Sequence, residues 1–178
     1  MSGIVGDNTA RASGVIAAAG GGKIGQVVQT LKSDTASGSG TTLTDVSGMT
    51  ITITPSATSS KILVMASMIL NSSGGYAFYK VVDGSGNDIT TGTFIGDVDS
   101  SRHRSTSGNI QVGEAYRNNA TGFMIFDTPN STSAQTYKIM CRQYTNTSTW
   151  YLNRANTNPD TSEGNTAVST MTCFEVLA

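Results

Sequence analysis

Thr50-Ile51-Thr52-Ile53-Thr54-Pro55-Ser56-Ala57-Thr58-Ser59-Ser60-Lys61-Ile62-Leu63-Val64-Met65-Ala66-Ser67-Met68-Ile69-Leu70 contains the longest apolar run of the chain, residues 62–70. A run of that length between turn residues fits either a strand buried on both faces or a buried helix, and periodicity alone does not separate the two. The Thr/Ile alternation at 50–54 and the turn at Pro55 decide for a strand. On that strand Ile62, Val64, Ala66, Met68 and Leu70 share one face, and Leu63, Met65, Ser67 and Ile69 share the other. A sandwich needs only one apolar face per strand. The second face therefore needs its own cover, and Leu63, Met65 and Ile69 are expected to meet a neighbouring subunit around a three-fold axis.

Working outward, short β-like segments recur at 24–31, 42–46, 49–54, 76–82, 89–95, 110–116, 123–126, 135–144, 150–154 and 168–177. Between them lie Ser-, Gly-, Asn- and Pro-rich turns, at the roughly 8–12-residue spacing of a sandwich or barrel. Residues 33–40, 97–109 and 156–165 read as loops. No amphipathic helix follows residue 22. The expected fold is an all-β antiparallel sandwich, jelly-roll-like, with an extended N-terminal arm.

Composition supports this. Ser and Thr make up roughly a quarter of the 178 residues, well above average usage, and they suit strands and turns. Charged residues are only 13% and the net charge is −1, so there is no electrostatic footprint for nucleic acid or an anionic membrane. No stretch approaches the ~20 apolar residues of a membrane span. The N-terminus lacks the charged-then-apolar pattern of a signal peptide, which points to assembly in a cytoplasm. Cys141 and Cys173 sit in apolar alternating segments and are expected to be buried free thiols.

Residues 1–22 differ from the remainder. They are mostly Gly, Ala and small polar residues, ending in Gly20-Gly21-Gly22. Such a segment cannot bury enough surface to fold alone. We read it as a docking arm in which Ile4, Val5, Arg11, Val15 and Ile16 contact a partner, joined to a head domain at 23–178.

A search for catalytic or metal chemistry finds little. Gly20-Gly21-Gly22-Lys23 lacks the first glycine and the hydroxyl of a phosphate loop, with Ala17 and Ile24 at those places. Asp83-Gly84-Ser85-Gly86-Asn87-Asp88 begins like a calcium loop, but Asp88 and Phe94 occupy the positions that need Gly and Glu. His103 is the single histidine, which argues against a Ser–His–Asp triad and against a site needing two imidazoles in one chain. The expectation is no enzyme activity, no metal and no cofactor. Arg102, His103 and Arg104 read as an exposed loop suited to an anionic ligand. Trp150 and Tyr151 point to opposite faces of a strand, so one is inward and the other is a candidate for host or ligand contact.

Several phrases resemble a domain of virion proteins from tailed phages, especially aquatic ones. They are Gly25-Gln26-Val27-Val28-Gln29-Thr30, Ile51-Thr52-Ile53-Thr54-Pro55-Ser56-Ala57-Thr58-Ser59-Ser60-Lys61-Ile62-Leu63-Val64, Phe126-Asp127-Thr128-Pro129 and Met171-Thr172-Cys173-Phe174-Glu175-Val176. Gly3-Ile4-Val5-Gly6 and Arg11-Ala12-Ser13-Gly14 are similar to short leaders on cyanophage fibre-like proteins. The resemblance implies a small homotrimeric β-sandwich at the virion surface, joined to other virion proteins through its N-terminus. A short tail fibre or fibre tip that contacts a host surface glycan or protein is expected first. A trimeric capsid decoration protein is the alternative.

Overall fold

Alternation of apolar with Ser/Thr positions produces ten strands in the computed structural model, which describes residues 23–110, 116–162 and 164–177. They are β1 (Lys23–Lys32), β2 (Ala36–Ser39), β3 (Thr44–Ile53), β4 (Lys61–Ser72), β5 (Ala77–Asp83), β6 (Ser107–Ile110), β7 (Asn119–Asp127), β8 (Gln135–Gln143), β9 (Thr149–Leu152) and β10 (Ser169–Leu177). All their pairings are antiparallel. The first sheet runs β1-β10-β4-β7, and the second runs β3-β8-β5-β6. Leu70 pairs with Asn119 of β7 and with Leu152 of β9, so β9 and its partner β2 extend the β10 side of β4.

With the two short strands β2 and β9 set aside, the other eight, renumbered along the chain, lie in the orders 1-8-3-6 and 2-7-4-5. That is the strand order of a jelly roll. The expected all-β antiparallel sandwich is therefore the fold. Residues 1–22 lie outside the described residues, and with them the arm positions Ile4, Val5, Arg11, Val15 and Ile16.

One core cluster joins the sheets. Ile62, Val64, Met68 and Leu70 of β4 and Met171 and Cys173 of β10 meet Tyr79, Val81, Tyr137, Ile139 and Cys141 of the second sheet. Full burial of an aliphatic side chain of this size contributes about 1.5–3 kcal/mol, which makes β4 the largest single contributor. Both cysteines are free and buried, and burial pushes each thiol up to about 12.

The polar groups that enter the core are mostly paired, as buried polar groups must be. The Tyr137 hydroxyl donates to Asp127 Oδ2 at 2.6 Å. Buried Glu175 accepts from the Ser56 N–H and hydroxyl, both at 2.6 Å, and from Gln26 Nε2 at 2.9 Å. This carboxylate ties β10 to β1 and to the turn between β3 and β4. Asn153, at φ 62°, donates to the Lys32 and Asp34 carbonyls and accepts from Ser169 Oγ. A side-chain amide fits that left-handed position because asparagine tolerates it better than most residues.

Four local expectations change. Segment 89–95 is not a strand. Gly92 within it and Asp88 just before it make single bridges, to Asp127 of the first sheet and Val82 of the second, and so close one end of the sandwich. The segment's apolar character comes from Phe94, 1% exposed, whose ring lies 5.9 Å from that of Tyr137. Residues 33–40 contain β2, and 97–109 contain most of β6. The Ser47-Gly48 pair does not separate two strands. It forms an irregularity within β3, with Gly48 at φ 80°, a conformation only glycine adopts freely. Of the expected strand at 110–116, residues 111–115 lie outside the described residues.

Candidate functional site

Two surfaces stand out, one on the outer face of each sheet. On the first sheet, cross-strand register lines up Val27, Phe174, Leu63 and Phe126 in one row across β1, β10, β4 and β7. The next row on that face is Gln29, Thr172, Met65 and Met124, and the third is Leu31, Thr170, Ser67 and Gly122. None of these twelve side chains is charged. Val27 is 54% exposed, Leu31 59%, Met124 66% and Phe126 52%. Leu63, Met65 and Ile69 are half-buried by these neighbours. The outer face of β4 therefore does not stand alone. It is the centre of an uncharged, largely apolar surface that no other strand or loop of the described residues covers, and surfaces of that kind mark association sites.

The second surface is a cleft on the outer face of the second sheet. Phe78 of β5 stands directly opposite Arg142 of β8 in register. The Arg142 guanidinium lies over the Phe78 ring, 5.9 Å from its centroid. Residues 96–105 fold back over this pair. Their base is fixed by Thr106, whose N–H donates to the Tyr79 carbonyl at 3.1 Å and whose hydroxyl donates to the Phe94 carbonyl at 2.5 Å. The same hydroxyl accepts from the Val81 N–H at 2.9 Å. This anchoring brings the edge of His103 against Phe78, with ring centroids 6.1 Å apart. Arg142 Nη1 and His103 Nδ1 are 3.1 Å apart. A guanidinium can only donate, so in this contact His103 Nδ1 is the acceptor.

The cleft has two adjoining hollows of about 320 and 470 Å³, which share Phe78, Arg102, His103 and Ser105. Lys80, Arg104 and Arg142 line the first, and Tyr76 and Tyr144 line the second. Lys80 pairs with Asp88 at 2.5 Å, and Arg102 pairs with Asp99. Arg104 donates through Nε to the Gly96 carbonyl at 2.7 Å. Neither Arg104 nor Arg142 has a carboxylate partner among the described residues.

The sequence-derived site residues divide accordingly. Leu63, Met65 and Ile69 all lie on the apolar outer face of the first sheet. Arg102, His103 and Arg104 are exposed and border the cleft. Trp150 and Tyr151 do not join them. Trp150 is 2% exposed, buried in the core beside Gly38, and so cannot contact a host surface. Tyr151 is half-buried on the outer face of the first sheet, with the Arg154 guanidinium 4.5 Å from its ring centroid. Phe78 and Arg142 went unrecognised as site residues. Their only local signal is that each alternates with inward neighbours, Ala77 and Tyr79 for one and Cys141 and Gln143 for the other. No cluster of three or more potential metal-ligating side chains occurs among the described residues. The Asp83 turn is closed internally, since its carboxylate Oδ1 accepts from the Ser85 and Asn87 N–H groups, each at 2.8 Å.

Neither a scan against protein-family models nor a search of curated proteins finds a match to this chain.

Proposed function

We propose that this chain is a structural protein of a phage virion, a homotrimeric short tail fibre or fibre tip at the particle surface. The observation that carries the proposal is the uncharged apolar face spanning β1, β10, β4 and β7. Left in water, such a surface costs about 25 cal/mol for each Å² of apolar area. Closed rotational symmetry lets copies of one chain cover it on every subunit without leaving an open end. The trimer also protects the β1 and β7 edges from unwanted strand pairing.

In this scheme residues 1–22 dock the head to other virion proteins, with Ile4, Val5, Arg11, Val15 and Ile16 as contacts. The cleft side of the head, carrying Arg102, His103 and Arg104, faces the host. Resemblance of the sequence phrases to tailed-phage virion proteins supports this placement. No catalytic role is assigned. A capsid decoration protein is the second reading, favoured by the head beginning at Lys23, directly after the arm, with no repetitive shaft sequence between.

Quantifying and locating the chain on purified particles tests the proposal. Low copy number at the tail supports the fibre, and an array over the capsid supports decoration. Absence from the particle refutes both. Deleting residues 1–22 should leave a folded oligomer that no longer joins the particle.

A further inference from the structure

We infer that the cleft on the outer face of the second sheet binds a carboxylate-bearing saccharide, of the kind a uronic acid unit supplies to a surface polysaccharide. The inference deepens the proposed host-facing role by naming the ligand class and the residues that hold it. Four of the chain's eleven Lys and Arg residues line this one cleft. Asp88 and Asp99 balance two of them, Lys80 and Arg102. Arg104 and Arg142 form no ion pair among the described residues, on a chain whose net charge is −1.

These two guanidinium groups are already positioned. Arg142 rests on the Phe78 ring, donates from Nη1 to His103 and donates from Nε to the Gln143 carbonyl at 3.2 Å. Arg104 is held by its Nε bond to Gly96. In both residues the anchoring contacts leave N–H groups for a ligand. A planar fork of N–H donors matches a carboxylate better than a point charge does. Pre-positioned groups also lose less freedom on binding.

The rest of the cleft argues for a sugar over a bare anion. Phe78, Tyr76 and Tyr144 give it an aromatic wall next to the charge, with Tyr76 and Tyr144 packed edge to face at 6.1 Å. Such surfaces suit the C–H face of a pyranose ring, and the tyrosine hydroxyls supply hydrogen bonds at its rim. The hollows fall in the size range of small-ligand sites, and their shared lining lets linked rings run from the charged part to the aromatic part.

The test is calorimetric and NMR titration of the full-length protein with trigalacturonate, with its methyl-esterified form and with inorganic phosphate. Saturable binding of trigalacturonate, weakened by added salt, is expected. The ester and phosphate should each bind about tenfold more weakly or worse. Arg142→Gln and Arg104→Gln should each weaken trigalacturonate binding by about tenfold. Lys138→Gln should leave it unchanged, because that cation lies outside the cleft and pairs with Asp45 at 3.0 Å. If Arg142→Gln fails to fold, Arg104→Gln carries the test, since Arg104 lies on an exposed loop. Absence of saturable binding overturns the inference. So does equal binding of the ester, equal binding of phosphate, or wild-type affinity in the Arg104 variant. All titrations use isolated protein, so their failure is separate from failure to find the chain on particles.

Discussion

Replacing Tyr137 with Phe removes one oxygen from the centre of the sandwich and leaves the ring in place. The Tyr137 hydroxyl is the donor to Asp127 Oδ2 at 2.6 Å, and both residues are 1% exposed. The other carboxylate oxygen, Oδ1, has no hydrogen-bond partner among the described residues. Burial first, then the bond to Asp127 and its charge, pushes the Tyr137 phenol upward, so it remains a donor at any ordinary pH. A hydrogen bond to a charged group contributes about 1.5–3 kcal/mol, and stranding a buried partner adds the cost of its desolvation. Because Phe keeps the ring contacts, including the one with Phe94, no cavity term enters. The expected loss is about 2–4 kcal/mol, against a total stability of about 5–15 kcal/mol for domains of this kind. Urea unfolding at fixed protein concentration should show a midpoint lowered by about 1–2 M with little change in slope. Asp127→Asn keeps an acceptor for the phenol, and in that background Tyr137→Phe should cost much less. A Tyr137→Phe loss below about 0.5 kcal/mol, the level of an inert surface change, would refute the claim that this pair stabilises the core.

Glu175 supplies a pH signature. Burial raises its carboxyl, but hydrogen bonds from the Ser56 hydroxyl, Gln26 and the Ser56 N–H outweigh this and lower it from 4.5 to about 2. A depressed folded value stabilises the protein above the unfolded value, and this contribution is lost as pH falls from 4.5 through about 2. After allowance for solvent screening the effect is about 1–2 kcal/mol. The stability gap between wild type and Glu175→Gln should be flat above pH 5 and shrink by about that amount below it, whereas a constant gap contradicts the assignment. Gly38→Ala would place a Cβ 2.6 Å from Trp150 Cζ2. The ring must move, at a cost of about 1–3 kcal/mol. Trp150 is the single tryptophan, so its fluorescence should shift to the red, and an unchanged spectrum with unchanged stability would show that β2 yields freely.

Particular residues show what the sequence could reveal. β4 was legible because its apolar residues fill both faces, a pattern with few structural solutions. The same signal recurs in β7, where Phe123 and Ile125 turn inward and Met124 and Phe126 outward. β2 was not legible. Ala36-Ser37-Gly38-Ser39 reads as a loop, and it becomes a strand only because Gly38 makes room for Trp150 on the paired β9. Segment 89–95 misled in the opposite sense, since Phe94 plugs the core without belonging to a ladder. The cleft was half visible. The basic loop at 102–104 is a local phrase, but Phe78 and Arg142 become neighbours only through the register of β5 and β8. Local propensity carries no information about such long-range pairing.

The central claim is that the apolar face of β1, β10, β4 and β7 is covered by copies of the same chain. Solution mass by sedimentation equilibrium, at micromolar concentration, tests it most directly. Met65 and Met124 are paired in register at the middle of that face, so Met65→Lys with Met124→Lys should break the assembly without entering the core. A trimer closed through this face gives three times the 18.5 kDa chain mass for the wild type and a single folded chain for the double variant. A wild-type mass of one chain, or a trimer indifferent to both lysines, would contradict the claim.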